Sequence, residues 1–375
     1  PGASQVPGAI RRQVEDAFHR NGIRNLAMLA HLRAVADAAS SRGCRLLVLK
    51  GAHLAGAVYQ SIAHRVLADI DILVPDSDTG RVREALLELG MSQEARPGLP
   101  DDRPDLHHHL APFVTSSPFP IAVEVHRALV RPGLPFTIDM EQLWSRARPT
   151  EIHGAEVLGL SPEDLLLHLS VHSTYCHQLA HGLRGLCDIH QVVTRYAAEL
   201  DWDQLVQRAL EWRAARCTGL SLDLARHLLG TSAPEDVIRR LAGCSASELQ
   251  RARDMAITAV LTERAPLRSR RLREPTAGSR IAPLLERAAE LLQALVPPPK
   301  RLRAAYPDLP RPWLIGLCYP HQWLTLLRRH VVPRLRAALG NARLRSSAQA
   351  EGSFQTLLAW MRSGKPSIDK FREII

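Results

Sequence analysis

LLVLKGAHLAGAVYQSIAHRVLADIDILV, from Leu46 to Val74, is the stretch that decides the fold. Leu46 to Leu49 reads as a buried strand and Lys50-Gly51 as a turn. A helix follows from Ala52 to about Tyr59, then a connection from Ser61 to Arg65, then a second strand carrying Asp69 and Asp71. Side chains alternate faces along a strand, so Asp69 and Asp71 share one face while Ile70, Ile72 and Val74 share the other. Two residues along a strand span roughly 7 Å, close enough for both carboxylates to converge on one cation. An apolar strand has no folding reason to carry two aspartates on one face.

Upstream, residues 8 to 40 read as helical, with apolar residues near a 3.6 period and a break at Asn21-Gly22. Downstream, PDSDTG is turn-rich, and Val82, Ala85, Leu86 and Leu89 form an amphipathic helix that Gly90 ends. Residues 92 to 105 read as a loop. Two candidate strands follow, Leu106 to Val114 and Ile121 to Leu129. In the second, Glu124 and His126 share the polar face, so a third carboxylate sits on a third strand.

From about Met140 the pattern turns to helix after helix. SPEDLLLHLSVH is a strong start, with Ser161 as N-cap, Pro162 at N1 and two acids in the first turn. Further helices are expected at 181 to 199, 203 to 213, 217 to 229, 234 to 242, 246 to 262 and 281 to 295. Pro297 to Pro299 is a stiff break, and two more helices are expected around Pro320 and Pro333. No internal repeat is seen, which argues against a solenoid. The reading divides the chain into N-terminal helices (1–40), a catalytic domain (41–150), a helical substrate or cover domain (151–340) and a polar tail (341–375).

With 48 Lys and Arg against 38 Asp and Glu, the net charge is +10. That favours anionic partners without choosing among nucleotides, nucleic acid and phosphorylated substrates. Six scattered cysteines without a CxxC pair support neither a zinc ribbon nor a disulfide scaffold, so a cytoplasmic location is expected. No stretch approaches the roughly 18 apolar residues that span a bilayer, and no signal pattern opens the sequence. A first residue of Pro1 points to a trimmed or processed chain.

Asp69, Asp71 and Glu124 carry the main chemical signal. Like charges at 4 Å repel by about 1 kcal/mol even in water. A cluster persists only if one carboxyl is protonated, a basic group intervenes or a divalent cation bridges it. Mg²⁺ held by carboxylates and substrate phosphates meets that need, and two such ions can clamp the attacking and leaving oxygens of phosphoryl or nucleotidyl transfer. The competing reading is a plain ion pair of an aspartate with Lys50 or Arg65. The Lys50-Gly51 turn supplies a charge and close backbone approach for an anion.

L-K-G-A, Tyr59, Arg65, D-I-D-I-L-V, V-E-V-H, His172 and L-R-G-L-C-D-I together resemble the polymerase β-type nucleotidyltransferase superfamily. More closely, they resemble a large, poorly characterised bacterial nucleotidyltransferase family. The resemblance covers about residues 25 to 200. It implies an α+β fold, a small mixed sheet with flanking helices, followed by a largely helical domain. It also implies Asp69, Asp71 and Glu124 as metal ligands, Lys50 and Gly51 at the nucleotide phosphates, Mg²⁺ or Mn²⁺, and an NTP, ATP foremost. Two departures stand out. Ala52 replaces the usual second Gly or Ser of the turn, and the interval from Gly51 to Asp69 exceeds that of the minimal motif.

Other residues admit two readings. Arg65 could meet a phosphate or an internal acid, and His126 could orient a ligand or carry a proton. Ala52 offers its backbone amide to the phosphates. His107 to His109 reads as a strand start with a solvated face. His168 and His172, one turn apart, could build a pocket or simply pack, and Arg184 and Asp188 are spaced for a helix pair. The basic run at Arg264, Arg268, Arg270, Arg271 and Arg273 reads as a solvated linker. Trp313, Tyr319 and Trp323 read as a core helix with a wet edge.

The expected activity is transfer of an NMP group from an NTP to an acceptor hydroxyl. The expected acceptor is a small molecule, peptide or protein, with RNA the less favoured choice, and no membrane is expected. The alternatives are a regulatory nucleotide-binding module and a toxin-like enzyme acting on tRNA.

Overall fold

The computed structural model describes residues 7–94, 107–116, 119–261 and 354–362. The chain divides into two compact units. One comprises Pro1–Ala95, Asp101–Glu263 and Thr356–Ile375, and the other Arg96–Pro100 with Arg264–Gln355. The expected helix at 281–295, the Pro297–Pro299 break, the helices around Pro320 and Pro333, the basic run from Arg264 and the aromatics Trp313, Tyr319 and Trp323 lie outside the described residues.

The break expected at Asn21-Gly22 does not occur, because helix α1 runs unbroken over Gly8–Ser40. Both residues serve a contact instead. Asn21 donates to the Ala63 carbonyl at 2.6 Å, and a Cβ at Gly22 would stand 3.4 Å from that of Ala63. Three residues on, Asn25 donates to the carbonyls of Ile62 and Arg65. Only the second half of the apolar series enters the core, with Leu29, Leu32, Val35 and Ala39 buried. Ile10, Val14, Ile23 and Leu26 stay exposed.

The described strands form one seven-stranded mixed sheet in the order β3-β4-β5-β2-β1-β7-β6. They are β1 (Leu47–Val48), β2 (Ile70–Leu73), β3 (Met91–Gln93), β4 (Phe113–Thr115), β5 (Ala122–His126), β6 (Arg148–Ile152) and β7 (Ala155–Gly159). Between β1 and β2 lies α2 (Lys50–His53), continued by a π-helical stretch, Leu54–Val58. Helix α3 (Thr79–Glu88) ends at Gly90, whose φ of 77° is the left-handed C-terminal turn expected there. The expected α+β architecture is therefore present.

Three expectations are corrected. The loop read from residue 92 begins inside β3, which pairs with β4. The strand expected from Leu106 starts at Phe113. The all-helical stretch expected after Met140 contains one short helix, α4 (Met140–Ser145), followed by the β6–β7 hairpin. That hairpin turns at His153 and Gly154, both with positive φ (52° and 78°), as a tight two-residue turn requires. It buries Ile152 and Ala155, and β7 runs parallel to β1.

The helices that follow match expectation closely: α5 (Pro162–Ser170), α6 (Arg184–Arg195), α7 (Trp202–Glu211), α8 (Ala215–Leu229), α9 (Glu235–Ala242) and α10 (Ala246–Leu261). Ser161 caps α5, accepting from the Asp164 amide. Every residue of α5 is buried, including Asp164, which Arg146 grips with two bonds of 2.9 and 3.2 Å. The region read as a polar tail holds a further helix, residues 354–362. Leu357, Leu358, Trp360 and Met361 are buried there. Arg216 of α8 donates to the Trp360 carbonyl, and the Trp360 indole donates to Glu248 of α10.

Candidate active site

Parallel pairing of β2 with β5 sets Asp71 directly opposite Glu124, with His126 two residues further on the same face. Apolar residues on the other face (Ile70, Ile72, Val123, Val125) pack into the core and fix the register, because a one-residue slip would bury the carboxylates there. Asp69 lies just before β2. One ligand atom each from Asp71, Glu124 and His126 falls within 4.8 Å of the others.

Lys50 reaches this face from the end of β1. Its φ of 45° is left-handed, a strained conformation for a residue with a Cβ. Its ammonium donates to Asp71 Oδ1 at 2.8 Å, and His126 Nε2 donates to the same oxygen at 2.8 Å. This is the ion pair that sequence reading offered as the alternative for the aspartates. Burial pushes the Asp71 carboxyl up, but Lys50 and the His126 bond outweigh it and hold the group well below the usual carboxylate range.

Asp69 is in the opposite position. Burial, then the charges of Asp71 and Glu124, push it up to about 6. Glu124 is held below its ordinary value: burial raises it, and the histidines beside it more than compensate. His109 Nδ1 stands 3.7 Å from Glu124 Oε2, and His126 Nε2 is 3.6 Å from it. His107 to His109 therefore do not form the solvated face expected. His109 makes a β-bridge with His126, and the His108 ring packs against those of His109 and His126 at 4.6 and 5.3 Å. The run of three histidines could have been matched to β5 only with its strand pairing known.

Gly51 and Ala52 also have packing roles. The φ of Gly51 is not positive, and a Cβ there would come within 2.9 Å of Leu67 Cδ2, so a larger residue would have to displace the Leu67 side chain. Ala52 is fully buried in the core, so its side chain lies away from any phosphate.

Arg65 is not aimed at the carboxylates. Its guanidinium forks onto Asp188 of α6 at 2.7 and 2.9 Å, and Tyr59 donates to the same carboxylate at 2.8 Å. Asp188, expected to pair with Arg184 within its helix, is committed to this cluster instead. His168 and His172 lie beside the carboxylate face: burial lowers both, and Lys50 lowers them further.

The donor set suits a divalent cation. Two carboxylates and an imidazole converge, a lysine ammonium supplies the positive charge the cluster needs, and Asp69 is crowded toward its neutral form.

Residues 1–230 match the model of the uncharacterised nucleotidyltransferase family. The chain belongs to that family, and is thus an enzyme of the kind that transfers nucleoside monophosphate groups from a nucleotide substrate. No curated protein matches the chain. Among solved structures, the antibiotic-resistance factor ANT(2'')-Ia is 14% identical with a TM-score of 0.33, over 54% of this chain and 97% of its own. JHP933 from Helicobacter pylori is likewise 14% identical with a TM-score of 0.33, over 61% and 93%. Likeness that slight carries no argument. No described helix is long and apolar enough to cross a membrane.

Proposed function

We propose that the carboxylate face binds an NTP with Mg²⁺ or Mn²⁺ and transfers its NMP group to an acceptor hydroxyl. The observation that carries this reading is the convergence of Asp71, Glu124 and His126 within 4.8 Å. Asp71 and Glu124, with Asp69 at the start of β2, would hold the cation, which when bound screens the triphosphate and the charge that develops on the departing pyrophosphate. Lys50, 2.8 Å from Asp71, offers its ammonium to a phosphate oxygen, and the Gly51 and Ala52 amides add backbone donors. Glu124 takes the acceptor proton. His126 is the second candidate for that role, because its Nε2 hydrogen is committed to Asp71 and its buried Nδ1 has no hydrogen-bond partner among the described residues. Arg65 acts indirectly, by tying the connection before β2 to α6 through Asp188.

The helices from α5 onward cover the site and select the acceptor on this reading, with a small molecule, peptide or protein favoured. The site is tested by incubating the protein and cell-extract fractions with each NTP labelled at the α-phosphate. Label should pass to an acceptor in the presence of Mg²⁺ or Mn²⁺ and stop with a chelator. Glu124→Gln should lower transfer by at least about a hundredfold without changing the thermal unfolding midpoint. Undiminished transfer by a folded Glu124→Gln protein would sink the assignment.

A further inference from the structure

Four histidines, His168, His172, His177 and His181, follow one another from the end of α5 into the loop beyond it. The transfer chemistry described above uses none of them. Their rings stand in file, with successive centroids 5.7, 4.3 and 4.5 Å apart. The outer contacts are polar as well as steric. His177 Nε2 lies 3.1 Å from His172 Nε2, and His177 Nδ1 lies 3.1 Å from His181 Nε2. His177 thus engages both of its ring nitrogens, one with each neighbour.

Two imidazole nitrogens at that separation share either a proton or a cation. A cation centre draws one nitrogen from each of several residues. Here the middle ring faces two partners in different directions, and the convergent ligand group among the described residues is the Asp71, Glu124 and His126 set. Proton sharing fits both contacts. A neutral imidazole has one N–H and one lone pair, so three neutral rings can be bonded head to tail.

The surroundings keep the rings neutral. Burial pushes His172 well below its ordinary value, with Lys50 and the neighbouring histidines adding to it. Burial and then His181 and Lys50 push His177 down to about 4, against smaller opposing effects of Asp71 and Glu124. Burial, Arg184 and Arg65 lower His181. The backbone is bent to make the file. His172 sits in a π-helical stretch, Val171–Cys176, that ends α5, and Gln178 and Leu179 are both left-handed, at 53° and 57°. Such features gather where a side chain must be aimed. The inner end feels the charges of Lys50 and Asp71, and His181 at the outer end is exposed.

We propose that His172, His177 and His181 form a proton relay that carries the proton shed by the acceptor hydroxyl out to solvent. The relay rests on the nucleotidyl-transfer reading. In that reaction the acceptor oxygen forms its bond to the α-phosphorus, the bond to pyrophosphate breaks and one proton is released. Glu124, having taken that proton, releases it through water to His172 Nδ1 as the Nε2 proton of His172 moves to His177 Nε2. The Nδ1 proton of His177 then moves to His181 Nε2, and His181 loses its own Nδ1 proton to water. One proton enters and one leaves.

The test is the α-labelled NTP transfer assay on wild type, His177→Ala and His181→Gln, with a non-hydrolysable ATP analogue titrated into each by calorimetry. His177→Ala should turn over roughly tenfold more slowly or worse, bind the analogue as wild type does, and regain rate when imidazole is added. His181→Gln, changed at an exposed position, should show a smaller loss also relieved by imidazole, and serves alone if His177→Ala does not fold. Turnover unchanged in these variants, or a loss that imidazole leaves untouched, overturns the relay. A wild type that transfers label from none of the NTPs overturns the parent reading and the relay with it.

Discussion

At the scale of single residues, the site is a balance of unlike carboxylates. Asp71 is fixed as an anion by Lys50 and His126, whereas Asp69 is raised from 3.8 to about 6. The sign of the consequence follows from linkage. A carboxyl raised on folding binds more protons in the folded state across that window, so its cost is absent at the lower end and fully present above about pH 6. Asp69→Asn should therefore raise the thermal midpoint of the metal-free protein at pH 8 and leave it nearly unchanged at pH 4, as calorimetry can measure. Equal midpoints at pH 8 would show that the crowding is not felt. The two aspartates and Glu124 were legible because each interrupts an apolar alternation. The commitment of Arg65 was not, since its partner Asp188 lies 123 residues away and nothing local distinguishes an arginine awaiting a phosphate from one already paired.

At the scale of elements, legibility followed local signals. The α5 start was readable because the N-cap, the N1 proline and the first-turn acids lie within four residues. The β6–β7 hairpin was not, because most of β6 is exposed or half-buried at the sheet edge and shows no alternation. The acids that start α5 also do more than cap. Asp164 is fully buried and held by Arg146, while Glu163 is paired with Arg208 at 3.2 Å. Removing one partner of a buried pair leaves an uncompensated charge and costs about 3–5 kcal/mol. Arg208 also stands 3.5 Å from Asp164, so Arg146→Ala should be destabilised in urea unfolding by less than that amount, and the double change Arg146→Met with Asp164→Leu should recover much of the loss. A single variant within about 0.5 kcal/mol of wild type would mean that Arg208 alone suffices to hold Asp164.

For the molecule as a whole, contacts distant in sequence do the joining. Tyr59 and Arg65, from the segment between β1 and β2, hold Asp188 on α6 and so tie the sheet to the helices that follow. The helix at 354–362 does the same at the far end, setting Trp360 against Arg216 and Glu248. Neither link shows in hydrophobic period or composition, which report a residue's neighbours in the chain rather than in space. The short apolar run around Leu357 is diluted by the polar sequence on both sides.

That last helix is far from α8 and α10 in sequence, yet its Trp360 is bonded to both. The entropy of closing a flexible connection between two fixed points grows only with the logarithm of its length, so the contacts of the terminal helix should tolerate a change in the length of chain that precedes it. Replacing residues 262–353 with a flexible linker long enough to join the two ends should leave a cooperatively folding protein. Ending the chain at residue 353 should instead lower its melting point by stripping the cover from α8 and α10. Circular dichroism of the two shortened chains would tell them apart, and equal melting would show that the terminal helix is no clasp.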